Sequence, residues 1–184
     1  MGEVSKNYVS AGRYLEDQWR LASLVRRGGW HPDWLLGLWR GGAPVAVSVH
    51  EFLKTTGWPA KHMPLKSASY SAIGCNDGAV EFTLCDEVLS MLRPGEKVLV
   101  VDDVFDTGKT VLALAELLRA RSVDARFACV YFKSCNNETS MRPDYFVDEI
   151  DDSWLVFPHE IEGLSADEVR QKSPVLAEML AAFS

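Results

Sequence analysis

Hydrophobic and polar positions follow the clearest pattern in the middle of the chain, across residues 97–133. The run KVLVVDDV (97–104) is apolar up to its acidic end, which is typical of a strand buried on both faces. KTVLALAELLRAR (109–121) has apolar residues at helical spacing, and RFACVYFK (126–133) returns to a strand pattern. A strand, a helix and a second strand in this order predict an α/β fold with a parallel sheet and crossover helices.

The preceding segments predict further helices and strands. Residues 8–27 have the spacing of an amphipathic helix, and WLLGLW (34–39) has the pattern of a buried strand. A helix is predicted over residues 44–57, from a proline near its start to a glycine at its end. Residues 59–80 are rich in small and polar side chains and predict a mobile segment flanked by short strands, including AVEFTL (79–84).

Shorter elements are predicted elsewhere. EVLSMLRPG (87–95) has the pattern of a short helix with a stop signal at its Pro-Gly end. DYFVDEI (144–150) and WLVF (154–157) have strand patterns. The last residues, about 20 in number and rich in Ala and Leu, predict one helix.

Composition narrows the possible classes of protein and partner. The 184 residues suit one domain, and 47% hydrophobic with 24% charged residues is an ordinary globular balance. A net charge of −7 argues against a nucleic acid partner. No apolar run approaches the ~18 residues that indicate a membrane span, and the polar N-terminus predicts no signal peptide. The four cysteines form no CxxC pair, so we expect reduced thiols and a cytoplasmic location.

The segment VLVVDDVFDTGKT (98–110) carries the candidate chemistry. It ends in GKT like a P-loop, but Asp103 stands where that motif needs its first glycine, which argues against a nucleoside triphosphatase. Amides at the start of the next helix, with the Thr107 and Thr110 hydroxyls, can bind a phosphate. The Asp102 and Asp103 carboxylates can accept hydrogen bonds from sugar hydroxyls or hold a hydrated metal ion. This combination predicts a sugar phosphate ligand, and a solvated acidic loop is the alternative.

The same segment resembles the binding motif for phosphoribosyl pyrophosphate (PRPP) in type I phosphoribosyltransferases, which has an apolar strand, two acidic residues, a short variable stretch and Thr-Gly. The resemblance implies that Asp102 and Asp103 contact the ribose 2- and 3-hydroxyls and a magnesium ion, directly or through water. The 5-phosphate would bind to the loop formed by Asp106, Thr107, Gly108, Lys109 and Thr110.

The family resemblance also predicts the architecture. It implies a central parallel sheet flanked by helices, with a small hood subdomain. We expect a single phosphoribosyltransferase domain over residues 1–184, with its core at about 30–135 and the hood formed by the C-terminal part at about 136–165.

Arg40-Gly41-Gly42 follows the first predicted core strand and resembles the family's loop for the leaving pyrophosphate. Glycines let a backbone approach an anion closely, and arginine adds a charge-assisted hydrogen bond. The family often has a non-proline cis peptide at this place, which would fall between Trp39 and Arg40. An ordinary strand-to-helix turn is the alternative interpretation.

Residues 65–83 contain Ser69 and Tyr70, and they resemble a flexible loop that closes over the active site in purine members of the family. Closure of such a loop excludes water from a reactive sugar cation. A plain surface loop is the alternative interpretation.

The C-terminal part resembles purine phosphoribosyltransferases. The resemblance implies that Lys133 donates to the 6-oxo group of the base and that Trp154 stacks on the base. Backbone groups near Leu155 and Glu160 would contact the edge of the base. The resemblance assigns Asp106 as the catalytic residue that exchanges a proton with the purine imidazole nitrogen. The alternatives are a solvated strand end for Lys133 and a core position for Trp154.

The implied function is purine salvage: transfer of the 5-phosphoribosyl group from PRPP to hypoxanthine, guanine or xanthine, with Mg²⁺ as cofactor. The expected partners are PRPP and a purine base, with no nucleic acid and no membrane, in a homodimer or higher homo-oligomer. Two alternatives are open. One is a PRPP-binding regulatory protein, and the other is a phosphoribosyltransferase for another base.

Overall fold

The apolar runs of the sequence form the strands of a central sheet, and the amphipathic stretches form the helices that cover it. The computed structural model describes residues 6–69, 80–83 and 85–183. In chain order their elements are β1 (Lys6–Tyr8), α1 (Ala11–Arg27), β2 (Trp34–Trp39), α2 (Gly42–Thr55), β3 (Lys61–Ser69), β4 (Val80–Thr83), α3 (Cys85–Met91), β5 (Lys97–Phe105), α4 (Lys109–Ala120), β6 (Asp124–Phe132), β7 (Tyr145–Glu149), β8 (Trp154–Val156), α5 (Ala166–Lys172) and α6 (Pro174–Ala181). A short 3-10 turn, Ser134–Asn136, follows β6.

The main sheet confirms the predicted α/β class. Among the described residues its strands lie in the order β4-β3-β2-β5-β6-β7. Neighbouring strands are parallel from β3 to β7, and β4 alone pairs antiparallel with its neighbour β3. β2 and β5 are adjacent, with Leu36 opposite Val100. The carboxyl ends of these two strands therefore meet at one edge of the sheet.

Helices cover both faces of this sheet, and each face has its own hydrophobic cluster. Val100 of β5 packs in the cluster that includes Leu114 of α4. The next residue, Val101, packs in the cluster that includes Leu21 of α1 and Val49 of α2. Because both faces are buried, β5 is apolar at consecutive positions. Full burial of each such side chain stabilises the fold by ~1.5–3 kcal/mol.

A buried carboxylate fastens α1 to the sheet. Asp17 is fully buried and accepts a hydrogen bond from the Tyr131 hydroxyl of β6 at 2.9 Å. Arg20 donates to the same carboxylate at 3.0 Å and Arg13 at 3.3 Å. Arg13 also contacts Asp148 of β7 at 3.1 Å. Removing one partner of a buried charge is costly, so this network holds α1 in a defined position.

The segment 59–80 was predicted to be mobile, and this prediction is wrong for its first half. Residues Lys61–Ser69 form β3, which pairs in parallel with β2 from Trp34 to Trp39. Leu65 is fully buried. Main-chain pairing and this burial outweigh the weak strand preference of the small and polar side chains.

The two ends of the chain also differ from the expected pattern. Tyr8 belongs to β1, which pairs with β8, and α1 begins only after Ser10, whose hydroxyl accepts from the Arg13 amide. The tail forms two helices, because Ser173 is extended before Pro174 and caps α6. No helix in the described part of the chain is both long and apolar enough to cross a membrane.

β1 and β8 form a small second sheet, with Lys6 opposite Trp154 and Tyr8 opposite Val156. The predicted hood, 136–165, contributes β7 to the main sheet and β8 to the small sheet. The limits of a hood subdomain stay a prediction.

Candidate functional site

The turn after β2 and the acidic end of β5 lie against each other at the carboxyl edge of the sheet. A Cβ atom on Gly41 would be 1.9 Å from Asp103 Oδ2, and one on Gly42 would be 2.5 Å from the Val101 carbonyl oxygen. Only glycine permits this approach of backbone to carboxylate. The peptide bond between Trp39 and Arg40 is cis, as the family resemblance implied.

The two adjacent carboxylates are oriented by main-chain amides. The Asp103 amide donates to Asp102 Oδ1 at 3.0 Å, and the Val104 amide donates to Asp103 Oδ1 at 2.8 Å. Burial raises the pKa of Asp102 well above its ordinary value, and the Asp103 charge raises it further. Burial raises the pKa of Asp103 as well. Ligand hydroxyls or a cation would stabilise the ionised forms of both groups.

Among the described residues, no group of three or more His, Cys, Asp or Glu side chains could hold a metal ion. Mg²⁺ is usually bound through one or two carboxylates together with water and substrate phosphates. Asp102 and Asp103 are the two carboxylates that would hold such an ion, directly or through water.

Tyr14 of α1 lies beneath the same turn. Its hydroxyl donates to the Gly41 carbonyl oxygen at 3.5 Å. Burial raises the pKa of Tyr14, and the charges of Asp103 and Asp102 raise it further, so this hydroxyl stays protonated. Tyr14 was not predicted as a site residue from the sequence. It lies in a helix 27 residues before Gly41, and no sequence motif near Tyr14 indicates that contact.

The loop between β5 and α4 turns at Gly108, which has a left-handed backbone conformation that favours glycine. Gly108 has φ +79°, and a Cβ atom there would be 2.5 Å from Thr139 Oγ1. It precedes Lys109, the first residue of α4, whose N-terminal amides favour an anion. Lys109 Nζ contacts Glu138 at 2.6 Å, and the Thr107 carbonyl accepts from the Glu138 amide at 3.0 Å. Thr110 lies in the first turn of the same helix.

Lys133 and Asp106, two of the predicted site residues, lie close together. The buried Lys133 ammonium is 3.9 Å from Asp106 Oδ2 and 3.9 Å from Asp152 Oδ1. The Asn136 side-chain amide donates to Asp106 at 2.9 Å and to Asp152 at 2.5 Å. Asn136 and Asp152 were not predicted. Their only sequence signals are their positions just after Lys133 and just before Trp154.

A cavity of about 680 Å³ opens beside the acidic pair. It is lined by residues predicted for three different parts of a ligand: Arg40, Gly41, Asp103, Trp154 and Glu160. Trp154 is 59% exposed, so its ring is accessible for stacking. Neither Lys133 nor Asp106 is among the described residues that line this cavity.

The remaining wall of the cavity is a C-terminal loop that the sequence did not indicate as a unit. It contributes His159 and residues 161–164, and Glu162 contacts Arg40 at 3.3 Å across the cavity. The Leu155 side chain packs in the core, so only its backbone could contact a base. The Glu160 carboxylate accepts from the Phe157 amide at 3.0 Å, which closes the turn before this loop.

The predicted closing loop falls largely on residues 70–79, including Tyr70, which lie outside the described residues. The first residues of this predicted loop, up to Ser69, belong to strand β3.

The fold is shared with solved structures. A purine phosphoribosyltransferase from Pyrococcus horikoshii superposes with a TM-score of 0.68 at 24% identity, covering 88% of this chain and 97% of that one. A hypothetical protein from Neisseria gonorrhoeae with bound ppGpp superposes with a TM-score of 0.73 at 22% identity, covering 97% and 99%.

Sequence comparison connects the chain to purine enzymes at low identity. The hypoxanthine-guanine phosphoribosyltransferase of Mus musculus is 24% identical over 161 residues, 84% of this chain and 73% of that protein. The xanthine-guanine phosphoribosyltransferase of Idiomarina loihiensis is 40% identical over 79 residues, 40% of this chain and 45% of the relative, so the match spans less than half of that protein. The family model for the phosphoribosyl transferase domain matches residues 6–165, and the chain therefore belongs to the phosphoribosyltransferase domain family.

Proposed function

We propose that this chain is a purine phosphoribosyltransferase, which transfers the 5-phosphoribosyl group from PRPP to hypoxanthine, guanine or xanthine and releases pyrophosphate. The observation that carries the proposal is the cavity shared by Arg40, Gly41, Asp103 and Trp154. These groups suit an anion, a sugar and a flat aromatic ring, which are the parts that PRPP and a purine bring together.

The proposed reaction depends mainly on positioning and electrostatics. Arg40 and the amides of Gly41 and Gly42 bind the leaving pyrophosphate, while Asp102 and Asp103 accept hydrogen bonds from the ribose hydroxyls. The C1–oxygen bond breaks with its electron pair leaving on pyrophosphate, and the two carboxylates stabilise the positive charge on the sugar. A magnesium ion held by Asp102 and Asp103, directly or through water, would neutralise negative charge on the leaving pyrophosphate.

The base is proposed to bind between the Trp154 face and the Lys133 region. Lys133 donates to the 6-oxo oxygen, Trp154 stacks on the ring, and main-chain groups near Leu155 and Glu160 contact its edge. As one imidazole nitrogen of the purine bonds to C1 through its lone pair, the other imidazole nitrogen, which lies beside the 6-oxo group, gives its proton to Asp106. The 3.9 Å separation between Lys133 and Asp106 suits two groups that act on neighbouring parts of one purine.

A second candidate is a regulatory protein that binds a guanine nucleotide or PRPP without turnover. The observation that favours it is the similar fold of the Neisseria gonorrhoeae protein, which has bound ppGpp. A guanine ring could stack on Trp154, and its phosphates could contact Arg40 and the loop ending at Thr110. A phosphoribosyltransferase for another base is a third candidate, although an exposed tryptophan and a nearby cation suit an oxopurine better than a pyrimidine.

Two assays separate these functions. The first mixes the protein with Mg-PRPP and, in turn, hypoxanthine, guanine, xanthine, adenine and uracil, and measures pyrophosphate and nucleotide. The second measures PRPP, GMP and ppGpp binding by calorimetry. We expect turnover with an oxopurine. Tight ppGpp binding with no turnover of any base would favour the regulatory function instead.

A further inference from the structure

The side chain of Asn136 lies between two carboxylates from separate loops. Its amide nitrogen donates to Asp106 Oδ1 at 2.9 Å and to Asp152 Oδ1 at 2.5 Å. One asparagine amide has two hydrogens, so it can serve both acceptors at once. Asp106 follows β5 and Asp152 precedes β8, so a single side chain joins two segments 46 residues apart in the sequence.

This bridge gives the two oxygens of Asp106 different neighbours. Oδ1 is held by the Asn136 amide, and Oδ2 lies 3.9 Å from the Lys133 ammonium. The Asp106 side chain is 48% exposed, and solvent alone would leave its carboxylate free to rotate. A carboxylate fixed at one oxygen presents the other in a constant direction, which a proton transfer to a bound ligand requires.

The bridge also brings Asp106 and Asp152 to the same cation. Lys133 Nζ is 3.9 Å from both carboxylates, and the Asn136 side-chain amide donates a hydrogen bond to the Oδ1 atom of each. Asp152 precedes Trp154 by two residues. Asn136 therefore connects the proposed proton acceptor to the segment that carries the proposed stacking residue.

The turn that carries Asn136 is held by its main chain. The Asn136 amide N–H donates to the Lys133 carbonyl at 3.1 Å, and the Glu138 amide donates to the Thr107 carbonyl at 3.0 Å. Replacing the side chain of Asn136 leaves these hydrogen bonds in place. Its removal can therefore test orientation of Asp106 without dismantling the turn.

We infer that Asn136 is a positioning residue, which orients the Asp106 carboxylate for proton exchange with the base; this inference rests on the proposed function. Asn136→Ala should lower kcat by roughly 10- to 100-fold, the range expected for losing a hydrogen bond to a charged group. The KM for PRPP should change less than about twofold, because the pyrophosphate and ribose contacts are untouched.

A double-mutant cycle tests whether Asn136 acts through Asp106. In an Asp106→Asn background, Asn136→Ala should cost little further activity, because the group it orients no longer exchanges a proton. Ser134→Ala is the matched control: Ser134 lies in the same turn as Asn136, and its hydroxyl donates to the Glu149 carboxylate of β7. An equal kcat loss from Ser134→Ala, or full additivity of Asn136→Ala and Asp106→Asn, would overturn the inference.

A readout that needs no turnover separates this inference from the proposed function. The side-chain amide signals of Asn136, assigned by their loss in Asn136→Ala, should shift in ¹⁵N–¹H spectra of Asp106→Ala. Absence of turnover with any purine refutes the proposed function, and these signals still decide whether the bridge exists. Signals unchanged in both Asp106→Ala and Asp152→Ala would show that the bridge is absent.

Discussion

Gly41→Ala adds a single methyl group where the pyrophosphate turn meets the acidic pair. Gly41 has φ −65° and ψ −35°, which alanine adopts without strain, so the effect is purely steric. The new Cβ would be 1.9 Å from Asp103 Oδ2, whereas ordinary contacts begin near 3.4 Å, so an opening of about 1.5 Å is needed. Rotation of Asp103 would break its hydrogen bond with the Val104 amide at 2.8 Å.

The size of the effect follows from that displacement. Overpacking of this kind costs ~1–3 kcal/mol, and each kcal/mol lowers the melting temperature of a domain this size by ~2–4 °C. A shift of ~1 Å in a positioned group can lower a rate by ~100-fold. We therefore expect Gly41→Ala to melt several degrees lower and to lose most of its PRPP affinity and turnover.

Calorimetric melting and PRPP titration measure both effects. Gly12→Ala is the matched control, because Gly12 lies in the first turn of α1 and a Cβ there meets no atom within 4 Å. That variant should be as stable as the wild type or slightly more so. If Gly41→Ala and Gly12→Ala melted and bound PRPP alike, the close approach of the turn to Asp103 would be refuted.

Three further predictions concern single side chains. Lys133→Ala should raise the KM for the base and leave that for PRPP nearly unchanged in steady-state assays; a selective effect on PRPP would contradict its role. The pKa of Asp102 is raised in the folded protein, so the stability of the metal-free wild type falls as pH rises above the ordinary value of 3.8. Asp102→Asn removes this ionisable group and should therefore stabilise the metal-free protein. Denaturant unfolding should show this gain shrinking towards zero below that pH, and a gain independent of pH would refute the argument. Glu162→Gln removes the negative charge that pairs with Arg40, so pyrophosphate should bind more tightly at low salt. The gain should not exceed about fivefold, since exposed ion pairs contribute little. Titration at high salt should abolish the difference, and weaker binding at low salt would contradict it.

The parts of the fold that sequence predicted well are those specified locally. β5, α4 and β6 follow from continuous apolar runs and helical spacing within 97–133, and their order alone indicates a parallel sheet. β1 was missed because its three residues gain their partner only from β8, at the other end of the chain. β3 was missed because its pairing with β2 outweighs its composition.

The candidate site divides in the same way. The acidic pair and the phosphate loop are contiguous in sequence, and Arg40-Gly41-Gly42 is marked by its position after an apolar run. Asn136 and Glu162 act across long separations, 30 residues to Asp106 and 122 residues to Arg40. Such contacts depend on how loops from different strands meet, which periodicity does not determine.

The central claim is that this carboxyl edge transfers a phosphoribosyl group to an oxopurine. The most direct measurement is the yield of nucleoside monophosphate and pyrophosphate from Mg-PRPP with each oxopurine, in the wild type and in Asp106→Asn. We predict equimolar products with at least one oxopurine, and in the variant a loss of turnover far larger than the loss of PRPP affinity. PRPP binding without any nucleotide formed by the wild type would contradict the claim and favour a protein that senses PRPP.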